Sequence, residues 1–137
     1  MQVNPYMVFN GDCEEALRFY EQTLGAKIEF LQKFAGSPAA GMAPPDWGDK
    51  VLHATIKIDK SYLMASDAPP GHYAKPQGIS VSLSLNDPEK GERIFNALSQ
   101  GGTVQMPFEK TFWAAGFGMC IDRFGIPWMV NCDEEHK

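Results

Sequence analysis

His53 is the residue of this chain best suited to chemistry, because it stands in the middle of a strand-like segment. An imidazole titrates near neutral pH, so it can act as a general acid or base or bind an anionic substrate. Apolar and polar side chains alternate over residues 51–58, which places His53 on the polar face of the strand with Thr55 and Lys57. The alternative is a structural histidine, hydrogen-bonded in a cavity wall. His53 is therefore the candidate catalytic residue, and no other catalytic residue is identified.

A second polar face is predicted over residues 79–85, where Ser80, Ser82 and Ser84 alternate with apolar residues. A serine hydrolase needs a nucleophile elbow and a neighbouring base. Neither pattern surrounds these serines, so we interpret them as the lining of a wet surface. Of the remaining histidines, His72 falls in a proline-rich segment and His136 in an acidic tail, and we expect both to be solvated.

Aromatic and thioether side chains complete the set of candidates. Trp113 precedes a run of small residues and can offer a flat face on which a ligand stacks; the alternative is packing in a core or an interface. Met64 and Met129 fall in strand-like segments, where methionine can form an adaptable pocket lining or simply part of the core.

The elements that must position these residues occur twice. Segments that begin at Asp12 and at Asp87 match when one is slid by about 75 residues, and each predicts an amphipathic helix. Asp12 is predicted to cap the first helix in the manner of a capping box with Glu15. Asp87 is predicted to cap the second helix, with Pro88 at its first position, and glycine is expected to end each helix.

One strand-like run precedes each helix and three follow it, so the chain is predicted to read βαβββ twice, an α+β fold. We expect one domain over 1–137, made of module 1 (1–67), module 2 (78–132) and a Pro/Gly-rich linker (68–77). The long segment 35–49 is predicted to be a loop. The strands are predicted at 3–9, 27–34, 51–58 and 62–66, and at 79–85, 103–108, 116–121 and 128–132.

Composition excludes several classes of function. The 137 residues carry a net charge of -5, which argues against nucleic acid and anionic membranes. No apolar run reaches the ~20 residues of a spanning helix, and the N-terminus does not resemble a secretory signal. Three cysteines outside any C-x-x-C pair favour reduced thiols and a cytoplasmic location. A G-x-G-x-x-G turn and an alternating βαβ series are missing, which disfavours NAD, and no cofactor is expected.

Several stretches resemble a known family. They are residues 6–11, the helix 13–20, the strand start 51–54 and above all the run 111–128. They are similar to the PhnB-like group of the vicinal oxygen chelate superfamily, often labelled 3-demethylubiquinone-9 3-methyltransferase. The superfamily also contains glyoxalase I, extradiol dioxygenases and antibiotic-resistance proteins. The resemblance implies a curved half-barrel sheet built from two βαβββ modules, and a homodimer.

The resemblance also implies a divalent metal held by His, Glu or Gln side chains from the first and last strand of each module. The corresponding positions here are Asn4 or Pro5, then Met64, Ser80 and Met129. Thioether, amide and hydroxyl groups without carboxylates are poor ligands for a hard or borderline cation. We therefore expect no metal. The predicted binding residues are Tyr6, His53, Met64, Ser80, Ser82, Trp113 and Met129.

The sequence thus predicts a protein that binds a small molecule on a concave sheet face without the usual metal. The second hypothesis is a lyase, isomerase or dioxygenase in which His53 works with an unrecognised metal arrangement. A methyltransferase, as the group label says, comes last, because such enzymes usually use a doubly wound sheet.

Overall fold

The computed structural model describes residues 1–133, which form two compact units: Met1–Ala74 (unit 1) and the described residues from Lys75 onward (unit 2). Residues 134–137, which include His136, lie outside the described residues. Each unit contains one four-stranded mixed sheet and one helix of 12 residues. The elements of unit 1 are β1 (Tyr6–Phe9), α1 (Cys13–Leu24), β2 (Lys27–Lys33), β3 (Val51–Ile58) and β4 (Ser61–Asp67). Those of unit 2 are β5 (Val81–Leu85), α2 (Pro88–Ser99), β6 (Thr103–Glu109), β7 (Ala114–Ile121) and β8 (Pro127–Asp133).

The predicted α+β class with two βαβββ modules is confirmed. The strands of unit 1 lie in the order β1-β4-β3-β2 and those of unit 2 in the order β5-β8-β7-β6. In each unit the first strand pairs in parallel with the last, and the other neighbours pair antiparallel. A helix between the first two strands of each module gives the chain the length that the parallel return requires.

Unit 1 buries one face of its sheet under α1. The helix contributes Ala16, Leu17 and Tyr20, which recur at three- and four-residue steps and are fully buried. Strand residues meet them, and most of these alternate along their strands because successive side chains point to opposite faces. Val51 is the exception, because the register between β2 and β3 shifts between Gln32 and Lys33. The buried strand residues are Met7, Phe9, Val51, Ala54, Ile56, Leu63 and Ala65. The other face of this sheet therefore carries the residues between them.

Unit 2 buries the corresponding face under α2, with Phe95 and Leu98 of the helix in the core. Glycines of β7 make the close approach of aromatic rings possible: a Cβ added at Gly118 would lie 2.8 Å from Phe95, and one at Gly116 would lie 2.3 Å from Phe108. Further buried residues on this side are Ala114, Cys120, Trp128, Val130 and Cys132.

The start of α1 differs from the prediction. The side chain of Asp12 forms no capping hydrogen bond. Instead, the buried carboxylate of Asp67, at the end of β4, accepts hydrogen bonds from the backbone N–H groups of Gly11 and Cys13, each at 2.9 Å. A carboxylate from another element thus satisfies an amide that the helix itself leaves free. The prediction for α2 is confirmed, because Asp87 accepts a hydrogen bond from the N–H of Lys90 at 3.2 Å and Pro88 is the first helical residue.

Two strands begin later than the sequence predicts. β1 begins at Tyr6 and β5 at Val81, so Asn4, Pro5 and Ser80 all precede a strand. Pro5 has no N–H to donate, which is consistent with a strand that starts after it. The loop predicted at 35–49 contains two short 3₁₀ turns, Ala40–Met42 and Pro45–Trp47. Within residues 1–133, neither helix is long and apolar enough to cross a membrane.

Candidate functional site

The helix-free face of the unit 1 sheet carries a cross-strand row of large side chains. Tyr6 on β1 lies opposite Met64 on β4, Met64 lies opposite Thr55 on β3, and Thr55 lies opposite Phe30 on β2. His53 is two residues from Thr55 on β3 and shares its face. We call these five residues the Tyr6 face. On β1, β4 and β3 this surface is set by the same alternation that builds the core. The neighbours of Tyr6, Met64 and Thr55 along these strands are buried: Met7, Leu63, Ala65, Ala54 and Ile56.

Three rings of the Tyr6 face form one cluster. The Tyr6 hydroxyl lies 3.3 Å from Nδ1 of His53, and the two ring centroids are 5.9 Å apart. The Phe30 ring lies 6.1 Å from the His53 ring on the other side. This hydrogen bond engages Nδ1, which leaves Nε2 as the ring nitrogen that can meet another molecule. Tyr6 and Phe30 are each 49% exposed, so the cluster offers open aromatic surface beside a polar atom.

Phe30 is a member of the cluster that the sequence did not indicate. The register between β2 and β3 shifts between Ile28 and Phe30, so one extra residue, Glu29, lies between these two positions. Ile28 pairs with the buried Ile56, whereas Phe30 pairs with Thr55 on the helix-free face. Without the irregularity, Ile28 and Phe30 would share a face, because strand side chains alternate strictly. The bulge therefore places Phe30 on the same face of the sheet as His53.

Unit 2 has a row at the corresponding place, with different chemistry. Ser82 on β5 lies opposite Met129 on β8, Met129 lies opposite Met119 on β7, and Met119 lies opposite Met106 on β6. We call these four residues the Met129 face. It contains one hydroxyl and three thioethers, none of which titrates near neutral pH. Of the predicted residues, Ser82 and Met129 belong to it; Met106 and Met119 were not among the predicted binding residues.

The remaining predicted residues lie beside the strands of unit 2. Ser80 is half-buried and comes just before β5. Trp113 comes just before β7 and is 47% exposed. Its ring contacts the rings of Phe112 at 4.7 Å and Phe117 at 5.3 Å, both nearly perpendicular. Edge-to-face geometry of this kind is favourable between aromatic rings. The three rings form one aromatic group, in which Phe112 and Trp113 are exposed and Phe117 is half-buried.

These residues do not fit the divalent metal that the resemblance implies. The first and last strands of unit 1 bring Tyr6 opposite Met64, and those of unit 2 bring Ser82 opposite Met129. None of the four side chains is a carboxylate or an imidazole, the ligands that such cations prefer. Among residues 1–133, no three His, Cys, Asp or Glu side chains are grouped so that they could hold a metal ion. We therefore derive no chemistry through a metal.

The cysteines do not supply a nucleophile. Cys13, Cys120 and Cys132 are free thiols and fully buried. Burial raises the pKa of each thiol, and for Cys13 the negative charge of Asp67 raises it further. Because the thiolate is the reactive form, these groups are inert at neutral pH.

A cavity of about 210 Å³ lies at the first turns of α2 in unit 2. It is smaller than the roughly 300–1,000 Å³ typical of ligand pockets. It contains none of the predicted site residues, and its lining is rich in glutamate. Its lining residues are Pro88, Glu89, Glu92, Phe108, Glu109, Lys110 and Ala115.

Comparison with known proteins gives the family. The model of the Glyoxalase/Bleomycin resistance protein/Dioxygenase superfamily matches residues 2–130. The chain is 36% identical to protein YjdN of Escherichia coli (strain K12) over 141 aligned positions, which cover 96% of this chain and 95% of YjdN. It is 47% identical to protein PA1353 from Pseudomonas aeruginosa, whose crystal structure matches with a TM-score of 0.89 over 98% of this chain and 99% of that one.

A structure from Bacillus cereus described as a putative 3-demethylubiquinone-9 3-methyltransferase, PhnB protein, matches with a TM-score of 0.81 over 96% of this chain and 99% of that one. At 22% identity, this likeness concerns the fold alone. The resemblance to the superfamily that was seen in the sequence is confirmed, and the PhnB-labelled structure shares its fold. The chain belongs to the Glyoxalase/Bleomycin resistance protein/Dioxygenase superfamily.

Proposed function

We propose that this protein binds a small organic molecule on the Tyr6 face of unit 1, without a resident divalent metal. The observation that carries the proposal is the open cluster of Tyr6, His53 and Phe30. Exposed aromatic rings on a strand face cost free energy in water, and a stacked ligand would recover it. The family's usual metal finds no suitable ligands in the matching strands, so recognition would rest on the side chains themselves.

The cluster can hold a ligand in two ways at once. The rings of Phe30 and His53 offer flat surfaces for a planar group. Nε2 of His53 offers a hydrogen bond, because Nδ1 is already engaged by the Tyr6 hydroxyl at 3.3 Å. If the tyrosine O–H donates to Nδ1, Nε2 carries the proton and donates to the ligand. A few polar groups placed among apolar surface are the usual composition of a small-molecule site.

An enzyme is the second candidate, and the hydrogen bond between Tyr6 and His53 favours it. A histidine whose tautomer is fixed by a neighbour can take or give a proton at its other nitrogen. In that case replacement of His53 would abolish turnover while ligand binding persisted. The methyltransferase label has no support in this fold, because neither four-stranded sheet is doubly wound.

We also propose that the protein acts as a homodimer in the cytoplasm. The dimer rests on family resemblance. The location is supported by three free, buried cysteines, which are typical of a reducing compartment. Light scattering on the purified chain tests the first part, and a mass of a monomer would contradict it.

Binding is tested with a neutral aromatic probe, 3-phenylpropionamide, titrated into isotope-labelled protein and followed by nuclear magnetic resonance. We expect saturable shifts concentrated at Tyr6, Phe30 and His53. The variant Phe30→Ala should lower the affinity for the probe by roughly two- to tenfold, because aromatic pairs contribute about 0.5–1.5 kcal/mol beyond buried area.

Phe19→Ala is the matched control, because Phe19 belongs to α1 on the other side of the same sheet. It removes the same ring and should leave the affinity unchanged. Shifts that cluster away from the Tyr6 face, or equal losses in both variants, would contradict the proposal. Stoichiometric metal in the purified protein that disappears in His53→Ala would favour the metal-dependent enzyme instead.

A further inference from the structure

Two lysines lie directly opposite each other beside the Tyr6 face. Lys27 on β2 pairs in register with Lys57 on β3, and Lys57 pairs in register with Tyr62 on β4. Nζ of Lys57 lies 5.6 Å from the Tyr62 ring centroid. Like charges directly opposite on antiparallel strands repel and destabilise the pair. In residues 1–133, neither lysine forms an ion pair with a carboxylate, so no negative charge of the described chain neutralises the pair.

Protection of a sheet edge does not account for the pair. Lysine is common on edge strands, where it discourages pairing with other chains, and β2 is an edge strand. Lys57, however, is on β3, an interior strand, and is half-buried. Another lysine of β2 does have an anionic partner. Lys33 forms an ion pair with Glu14 of α1 at 3.5 Å, on the helix side of the sheet.

The lysine pair and the aromatic cluster are neighbours on one face. Lys57 follows Thr55 by two residues, so both point to the helix-free side and lie about 7 Å apart along the strand. Phe30, opposite Thr55, stands at the same distance from the lysine row. The exposed aromatic surface thus lies about 7 Å along the strands from two lysines that have no anionic partner among the described residues.

We propose that the ligand of the Tyr6 face is an aromatic anion, whose ring packs on Phe30 and His53 and whose carboxylate lies between Lys27 and Lys57. This inference rests on the proposed function and adds the chemical class of the ligand. A carboxylate at this place removes the repulsion between the lysines and gains charge-assisted hydrogen bonds from both. It also lets a protein of net charge -5 attract a negatively charged ligand locally.

The test compares three probes of one shape: 3-phenylpropionate, 3-phenylpropionamide and 3-phenylpropylamine. We expect the carboxylate to bind about tenfold more tightly than the amide, since hydrogen bonds to charged groups are stronger than neutral ones. The amine should bind more weakly than either. Added salt should lower the affinity for the carboxylate and not that for the other two probes, because salt screens the attraction between exposed opposite charges.

Lys57→Met keeps most of the unbranched side chain and removes its charge, so it should bring the affinity for the carboxylate down to that for the amide. Lys27→Met should have the same effect to a smaller degree, because Lys27 is more exposed. Lys33→Met is the control, on the same strand but on the helix side, and should leave the preference unchanged. Circular dichroism checks that each variant is folded.

The outcomes separate this inference from the proposed function. Equal binding of carboxylate and amide at Tyr6, Phe30 and His53 would overturn the inference and leave the binding site standing. A carboxylate preference that survives both Lys27→Met and Lys57→Met would also overturn it. If none of the three probes perturbs the Tyr6 face, both proposals fail.

Discussion

The two helices of this chain begin at matching aspartates, yet they are secured in different ways. Asp87 caps α2 through its own side chain, as a local signal should. Asp12 does not cap α1; the carboxylate of Asp67 does so from the end of β4. Asp67 also accepts a hydrogen bond from the N–H of Val51 at 2.9 Å, at the first residue of β3. One buried carboxylate therefore joins three segments of unit 1.

The same place in unit 2 is occupied by a thiol. Asp67 ends the parallel pairing of β1 with β4, opposite Phe9, and Cys132 ends the pairing of β5 with β8, opposite Leu85. The Cys132 sulfur lies 3.7 Å from the backbone oxygen of Asp87. A thiol is a weak hydrogen-bonding group, so it cannot replace a carboxylate in this role. The repeated topology thus fixes the path of the backbone and leaves open which interaction secures each helix.

The largest effect is expected from removal of the shared carboxylate. Asp67→Ala leaves the N–H groups of Gly11, Cys13 and Val51 without their acceptor, two of these bonds being buried. We expect a loss of about 3 kcal/mol or more in the free energy of unfolding, because each unsatisfied buried donor costs about 1–3 kcal/mol. Asp87→Ala removes one exposed cap and should cost about 1 kcal/mol. Urea-induced unfolding followed by circular dichroism measures both.

Similar losses in the two variants would mean that Asp67 is no more than a cap. Asp67→Asn sharpens the result, because it keeps the shape and one acceptor oxygen but loses the charge. Its stability should fall between the wild type and Asp67→Ala.

The helices also differ at the point where each meets its sheet. Gly91 of α2 matches the buried Ala16 of α1 when the helices are aligned. A Cβ at Gly91 would lie 2.3 Å from the sulfur of Cys132, a distance that real atoms do not tolerate. Gly91→Ala should therefore destabilise unit 2 by about 1–3 kcal/mol, although alanine is the better helix former. Denaturant unfolding and hydrogen exchange along α2 measure the change.

A second substitution identifies the cause. Without the Cys132 sulfur, the next atom met by the new Cβ is Cζ of Phe108 at 3.4 Å, an ordinary contact. Gly91→Ala combined with Cys132→Ala should thus be more stable than the sum of the two single changes predicts. Strict additivity of the two changes would show that the close contact is not the source of the loss. Ala16→Gly in α1 should cost about 1 kcal/mol, from helix propensity and lost packing.

Local signals in the sequence were sufficient for the elements and for part of the site. Alternation over 51–58 placed His53 on the helix-free face. Asp87 and Pro88 marked the start of α2, and Gly25, in the left-handed conformation, marked the end of α1. These features depend on neighbours one to four residues away, which the sequence displays directly.

Other features depend on partners that are distant in the chain. Asp67 caps a helix 54 residues before it, so no local pattern distinguishes it from Asp12. Phe30 reaches the Tyr6 face through a bulge that flips one strand by a residue, and Met106 reaches the Met129 face after a similar shift in β6. Alternation alone assigns both to the wrong face, because a slip of one residue exchanges the two faces of a strand. The sequence therefore predicts only some of the residues on the helix-free face of each unit.

The smallest effect on stability is expected at Asp12, the aspartate that does not cap its helix. Burial raises the pKa of Asp12 above its ordinary 3.8, and the negative charges of Asp67 and Glu15 raise it further. Its Oδ1 atom is buried and has no hydrogen-bond partner among the described residues. The folded chain therefore binds this proton more tightly than the unfolded chain, so ionisation of Asp12 lowers stability as the pH rises through the two pKa values.

Asp12→Asn removes that penalty without changing the shape of the side chain. At pH 7 the variant should be more stable than the wild type by less than about 1 kcal/mol, and the difference should vanish below about pH 3, where the wild-type carboxyl is protonated in both states. Thermal unfolding across this pH range measures it. Asp87→Asn is the matched control in unit 2, because asparagine caps a helix about as well as aspartate. A variant at position 12 that lost stability at pH 7 would show that Asp12 contributes to the start of α1 after all, and the contrast between the two helices would then be one of degree.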